Sequence, residues 1–186
     1  GYTGLFAIVF AESGLFFGFF LPGDSLLFTA GFLASQGALD ILLLTGLLFV
    51  AAVSGDSVGY TFGRKIGPKI FTKAESRFFK PAHVVRAHEF FLKYGKKAIF
   101  LARFLPIVRT FVPIIAGVAG MPYREFIAYN IIGGAAWVGS MLGLGYALGS
   151  QVPDAEKYLH PIVIAIIVIS FLPALFEFWN AKKKKG

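Results

Sequence analysis

Apolar residues gather in blocks at 2–21, 25–39, 41–60, 98–119, 126–149 and 161–180, separated by short polar or basic stretches. No charged side chain falls in 126–153 or 158–176, and each stretch as helix is long enough to cross a hydrocarbon core of ~30 Å at ~1.5 Å per residue. Other blocks are interrupted. Pro22–Gly23 and Pro106 lie inside apolar sequence, and Pro113 adds a second interruption. Proline lacks the backbone donor and breaks or kinks a helix, so these positions are expected to end one helical arm and start another. The arms that follow, about ten to fifteen residues, reach only ~15–22 Å and cannot cross alone. Re-entrant hairpins are expected, which dip into the bilayer and leave on the side they entered.

The pattern occurs twice. FFLPGDSLLFTAG at 19–31 matches RFLPIVRTFVPIIAG at 103–117, sharing FLP and a terminal AG. Beyond the AG no gap is needed: Gly31 to Gly59 is the same interval as Gly117 to Gly145, and the copies close as GYTFG and GYALG. The expected fold is therefore an all-α integral membrane protein in a single domain, 1–186. It has a hairpin at 2–36, a transmembrane helix at 40–62, a basic linker at 64–97, a second hairpin at 98–119, and transmembrane helices at 124–149 and 160–180. One crossing separates the copies, so the hairpins enter from opposite faces, the inverted-repeat plan of secondary transporters whose sites lie near the midplane.

Composition agrees, with 56% hydrophobic and 15% charged residues where soluble domains carry about a quarter charged. The net charge of +8 is concentrated: Arg64, Lys65, Lys69, Lys73, Arg77, Lys80, Arg86, Lys93, Lys96 and Lys97 face only Glu75 and Glu89, and Lys182–Lys185 close the chain. By the positive-inside rule the linker and the C-terminus are cytoplasmic and 150–160 is outside. Juxtamembrane basic residues suit anionic lipid, so no nucleic-acid partner is expected. Cysteine is absent, and His83, His88 and His160 have no metal-ligand spacing, so neither metal nor cofactor is expected. The chain opens at Gly1 beside an apolar run, and further residues upstream are expected.

Four charges stand inside the hairpins: Glu12 and Asp24 in the first, Arg103 and Arg109 in the second. A charge at bilayer depth costs about 2.5–3.5 kcal/mol on insertion scales, so acids and bases in facing hairpins are expected to compensate each other around a polar cavity. Arginine offers a planar fork of donors that fits phosphate oxygens, which makes Arg103 and Arg109 candidate anion ligands. Glu12 and Asp24 are their protonatable partners, able to release or re-form an ion pair as a proton binds or leaves. Asp56 and Asn130 are candidates for cavity or structural roles, as are the break residues Pro22, Gly23, Pro106 and Pro113. The stripe Gly55, Gly59, Gly63 and Gly67 is expected to serve close helix packing, a homodimer included. Trp137 is expected to pack.

FAESGLFFGFFLPGDSLL at 10–27, GYTFGRKIG at 59–67, FLARFLPIVRTFVPIIAGVAGM at 100–121 and the F…N…GA..W run at 126–137 resemble the DedA family of bacterial membrane proteins, also called the SNARE-associated or VTT domain. The resemblance implies a multi-pass protein of the cytoplasmic membrane that translocates lipid. It implies undecaprenyl phosphate as cargo, with dependence on proton-motive force, or alternatively a flippase or scramblase of a phospholipid such as phosphatidylethanolamine; a structural membrane protein built on the glycine stripe is the remaining alternative. The family's functional acids fall on Glu12 and Asp24, and its arginines on Arg103 and Arg109. An enzyme is not expected. Lys96 and Arg103 mimic the opening of a lipid-phosphatase motif, but Phe104 follows where proline belongs and the later histidines are missing.

Overall fold

The computed structural model describes residues 1–14, 23–70 and 81–151, and these form helices and turns with no strand among them. In chain order they are α1 (Tyr2–Gly14), α2 (Gly23–Ser35), α3 (Ile41–Ile70), α4 (Pro81–Tyr94), a 3-10 turn (Gly95–Lys97), α5 (Ala98–Ala102), α6 (Pro106–Val118) and α7 (Tyr123–Gln151). The turn of the first hairpin, including Pro22, and the C-terminal helix expected at 160–180 lie outside the described residues.

Local chemistry sets the boundaries. Asp40 caps α3, its Oδ1 accepting the Leu43 N–H at 2.8 Å. The residue before proline is driven out of the helical region, and Leu105 is accordingly extended (φ −120°, ψ 101°), which lets α6 start at Pro106. Both short arms end in the same way. Ala38 N–H reaches back to the Leu33 carbonyl over Gly37 (φ 77°), and Met121 N–H reaches back to Ala116 over Gly120 (φ 71°). Each is the reach-back bond of a Schellman stop, which needs the left-handed conformation that glycine adopts without strain.

Two expectations are corrected here. Pro113 does not interrupt the second copy, since α6 runs unbroken through it. Its ring faces α3, lying 3.7 Å from where a side chain on Gly59 would begin, so neighbouring packing holds the turn that lacks a donor. The basic stretch 64–97 is not simply a linker either. Within it α3 continues to Ile70 and α4 forms, with Phe90 and Phe91 packed on a core of Tyr60, Ile99, Phe111, Val112, Ile115 and Phe126. The periodic apolar face of α4 finds a helical surface to cover.

The chain divides into two compact units, one built from Gly1–Leu21 with Gly46–Val138, the other from Pro22–Thr45 with the chain from Gly139. In the first unit α6 crosses α3 at a reciprocal glycine contact: a side chain on Gly117 would strike the Tyr60 carbonyl, and one on Gly63 would strike that of Ile114. In the second unit α2 crosses α7 likewise, with Gly31 against the Leu142 carbonyl and Gly145 against that of Phe28. Backbones approach this closely only where Cβ is missing. Of the glycine stripe on α3, Gly55 meets α1 at the Phe10 carbonyl and Gly14, while Gly59 and Gly63 meet α6, so contacts within the chain use these three positions. Among the described residues two helical stretches, Ile41–Lys65 and Tyr123–Gln151, are long and apolar enough to cross a bilayer. Apolar side chains cover their outer faces, as at Leu42 (82% exposed), Val50, Ile132 and Leu144.

Candidate functional site

The buried polar and charged side chains among the described residues, Glu12, Ser13, Asp56, Arg103, Thr110 and Asn130, all belong to the first unit. Two ion pairs organise them. The Arg109 guanidinium, in the first turn of α6, donates to Glu12 Oε1 on α1, with the two side chains 10% and 1% exposed. Glu12 and Arg109, expected from facing hairpins, are thus brought together. A second surface of Arg109 is covered by Trp137 on α7, whose ring centroid lies 4.8 Å from Cζ. Trp137 therefore does more than pack: its electron-rich face stabilises a cation removed from water.

Arg103 pairs elsewhere. It stands at the C-cap of α5, at the break before Pro106, and its Nη2 donates to Asp56 Oδ2 on α3 at 2.6 Å. Asn130 on α7 is the third member. Its Oδ1 accepts from the same Nη2, and its Nδ2 donates to the Val53 carbonyl at 3.0 Å, which fixes the orientation of the amide. The structure thus draws Asp56 and Asn130 into the site, and the partner of Arg103 is a residue of the long span rather than a hairpin acid. The Arg103 Nε has no hydrogen-bond partner among the described residues, although it is buried. Nη2 is engaged and Nε is left without a partner among these residues.

Space for this guanidinium comes from α7. A side chain on Gly133 would sit 3.1 Å from Arg103 Cδ, and one on Gly134 would sit 3.6 Å from its Cζ. The Gly133–Gly134 pair was readable as an unusual doublet within an apolar span, but nothing in the string connects it with a residue thirty positions upstream. Asp24 lies in the first turn of α2, in the second unit, where a carboxylate suits the positive end of a helix dipole. Gly23 is the first residue of that helix and Pro106 the first of α6. Among the described residues no three His, Cys, Asp or Glu side chains gather as a metal site.

Fold and site define a helical membrane protein that holds two arginine–carboxylate pairs out of water around the start of a short helix. Residues 21–147 match the VTT domain, and the chain belongs to that family, the DedA family. It is similar to Protein DedA of Escherichia coli K12, 44% identical over 98% of this chain and 84% of that protein. A membrane protein of Mycobacterium leprae is 46% identical over 96% of this chain and 80% of its own length. The inner membrane protein YghB of E. coli K12 is 36% identical over 94% and 83%. No solved structure matches the chain.

Proposed function

We propose that this protein is an inner-membrane lipid translocase whose cargo is a lipid phosphate, with undecaprenyl phosphate as the substrate. The observation that carries the reading is the pair of buried guanidinium groups, each matched to a carboxylate, with the Nε of Arg103 unpartnered among the described residues. A buried arginine needs a counter-charge, and phosphate competes with carboxylate for the same planar fork. Protonation of Glu12 or Asp56 frees a guanidinium for phosphate. Loss of that proton restores the ion pair and expels the ligand, which couples lipid release to proton flow. Asp24 is the third titratable group of this scheme.

Charge favours a monoester over a diester. A phosphate monoester carries about −1.5 to −2 near neutral pH and so matches two arginines, whereas a phosphodiester offers one charge. On this reading the α5–α6 pair is a re-entrant hairpin. Lys96, just before α5, pairs with Glu125 at the start of α7 at 3.5 Å, and α6 leads back to α7 through Met121–Pro122, so both limbs reach the same end of α7.

The test is leaflet-to-leaflet movement of a polyprenyl monophosphate in proteoliposomes under an imposed pH gradient. Arg109→Lys keeps the charge and loses the fork, and is expected to reduce transport at least ~10-fold. Arg103→Ala is expected to abolish it. Glu12→Gln is expected to flatten the pH dependence. Wild-type rates in both arginine variants would defeat the reading, and movement of phosphatidylethanolamine in place of the polyprenyl lipid would reassign the cargo.

A further inference from the structure

We propose that the basic end of α3 forms a second phosphate site, which takes the phosphate headgroup of a lipid at the membrane surface ahead of the buried arginines. The identity of the ligand rests on the function proposed above; the site itself rests on separate residues. A cavity of about 410 Å³ is lined by Tyr60, Thr61, Arg64, Lys65 and Tyr123, all in the first unit. That is well beyond the size of a bare phosphate and within the ~300–1,000 Å³ of small-molecule sites.

Arg64 and Lys65 supply the charge. Both are exposed, and no carboxylate among the described residues pairs with either, whereas Lys96 is engaged by Glu125. Arg64 is also held in place. Its Nη1 donates to the Tyr60 hydroxyl at 3.0 Å, that hydroxyl donates to the Met121 carbonyl, and the Tyr60 ring stacks on Phe126 at 4.5 Å. A guanidinium tied to the packed core loses little freedom on gripping a ligand. The other donor, Lys65, adds a mobile point charge. The rings of Tyr60 and Tyr123, with centroids 5.5 Å apart, line the cavity with carbon, and the Tyr123 hydroxyl is directed at Ser57 Oγ, 3.4 Å away. Two cations lining one cavity with aromatic rings fit a phosphate on an apolar tail. A free phosphate gains nothing from the walls.

The cavity is lined by the end of α3 and the start of α7, and the backbone of α3 beside it meets α6, where a side chain on Gly117 would come within 2.8 Å of the Arg64 backbone nitrogen. From there Asp56 lies eight residues back along α3, and Arg109 eight residues back from Gly117 along α6. At 1.5 Å per residue each path is about 12 Å, a short step for a headgroup leaving one cationic site for the next. A surface site of this kind also raises the local concentration of an anionic lipid.

Native mass spectrometry of the whole chain, released from phosphatidylcholine nanodiscs containing a polyprenyl monophosphate, counts the lipids held per chain. Arg64→Gln/Lys65→Gln is expected to hold one lipid fewer than wild type. Lys65→Gln alone, at an exposed position with no fold to disturb, is expected to weaken that lipid roughly tenfold. Lys93→Gln/Lys97→Gln removes the same charge elsewhere on the basic surface and is expected to keep the wild-type count. An unchanged count in Arg64→Gln/Lys65→Gln, or an equal loss in Lys93→Gln/Lys97→Gln, overturns the surface site. Loss at Arg64/Lys65 with full retention in Arg109→Lys upholds the surface site while removing the buried one. Displacement of the surface lipid by millimolar inorganic phosphate overturns the lipid assignment, and resistance to it upholds that assignment.

Discussion

The crossing of α6 over α3 and the crossing of α2 over α7 use the same contact. In each, a glycine on the short helix abuts a carbonyl of the long one, and three residues away on both helices the roles reverse. Along the short helices the positions correspond in the internal repeat, Gly31 with Gly117 and Phe28 with Ile114. Along the long helices the same register sets Asp56 against Leu142 and Asn130 against Leu44. Leu142 and Leu44 are buried in an apolar setting, while Asp56 and Asn130 hold Arg103. An apolar residue therefore suffices where Leu142 stands, and a tight crossing needs no ion pair. Buried ion pairs seldom stabilise a fold more than well-packed apolar groups do, so stability alone does not account for the charges of the first unit.

This contrast can be broken outright by giving Asp56 its counterpart's identity. Asp56→Leu leaves Arg103 buried without its carboxylate and is expected to cost about 3–5 kcal/mol in a denaturant titration in micelles. Adding Arg103→Met should recover most of that stability without recovering transport, which separates the two roles of the pair. If the double variant transports lipid, the ion pair is structural after all.

The glycine contacts should respond alike. Gly117→Ala and Gly31→Ala each force a methyl group against a backbone carbonyl, with an expected cost of about 1–3 kcal/mol in either unit. A loss confined to one of them would show that the crossings are not equivalent. Smaller effects sharpen the picture further. Trp137→Leu removes the aromatic face from Arg109 and is expected to cost about 0.5–2 kcal/mol, with transport reduced more than stability. In the second unit Gln36 Nε2 donates to the Gly149 carbonyl at 2.8 Å, and Gln36→Ala is expected to cost about 0.5–1.5 kcal/mol and to leave transport intact.

Much of the helical layout is legible in the string because its causes are local. Asp40 before an apolar run, Pro106 after an extended residue, and Gly37 and Gly120 after short arms each act within one turn of chain. Pro113 misled for the same reason. Read locally it ends a helix, and only the α3 surface at Gly59 reveals why it does not. Glu12 and Arg109 were readable as candidates since charge in an apolar block needs a partner, but the pairing of Arg103 with Asp56 was not. Asp56 sits in a glycine-rich span next to basic sequence, where a packing or capping role accounts for it equally well.

The amino-acid order by itself settled what must be compensated: which segments are apolar, where helices start and stop, and that guanidinium and carboxyl groups would lie away from water. Tertiary structure alone decided who compensates whom, because a carboxylate, an amide, an indole face and a pair of glycines converge on two arginines from helices far apart in the chain. Propensity and hydropathy act over a few residues, whereas the desolvation of a charge is governed by whatever lies within a few ångströms, from any part of the sequence.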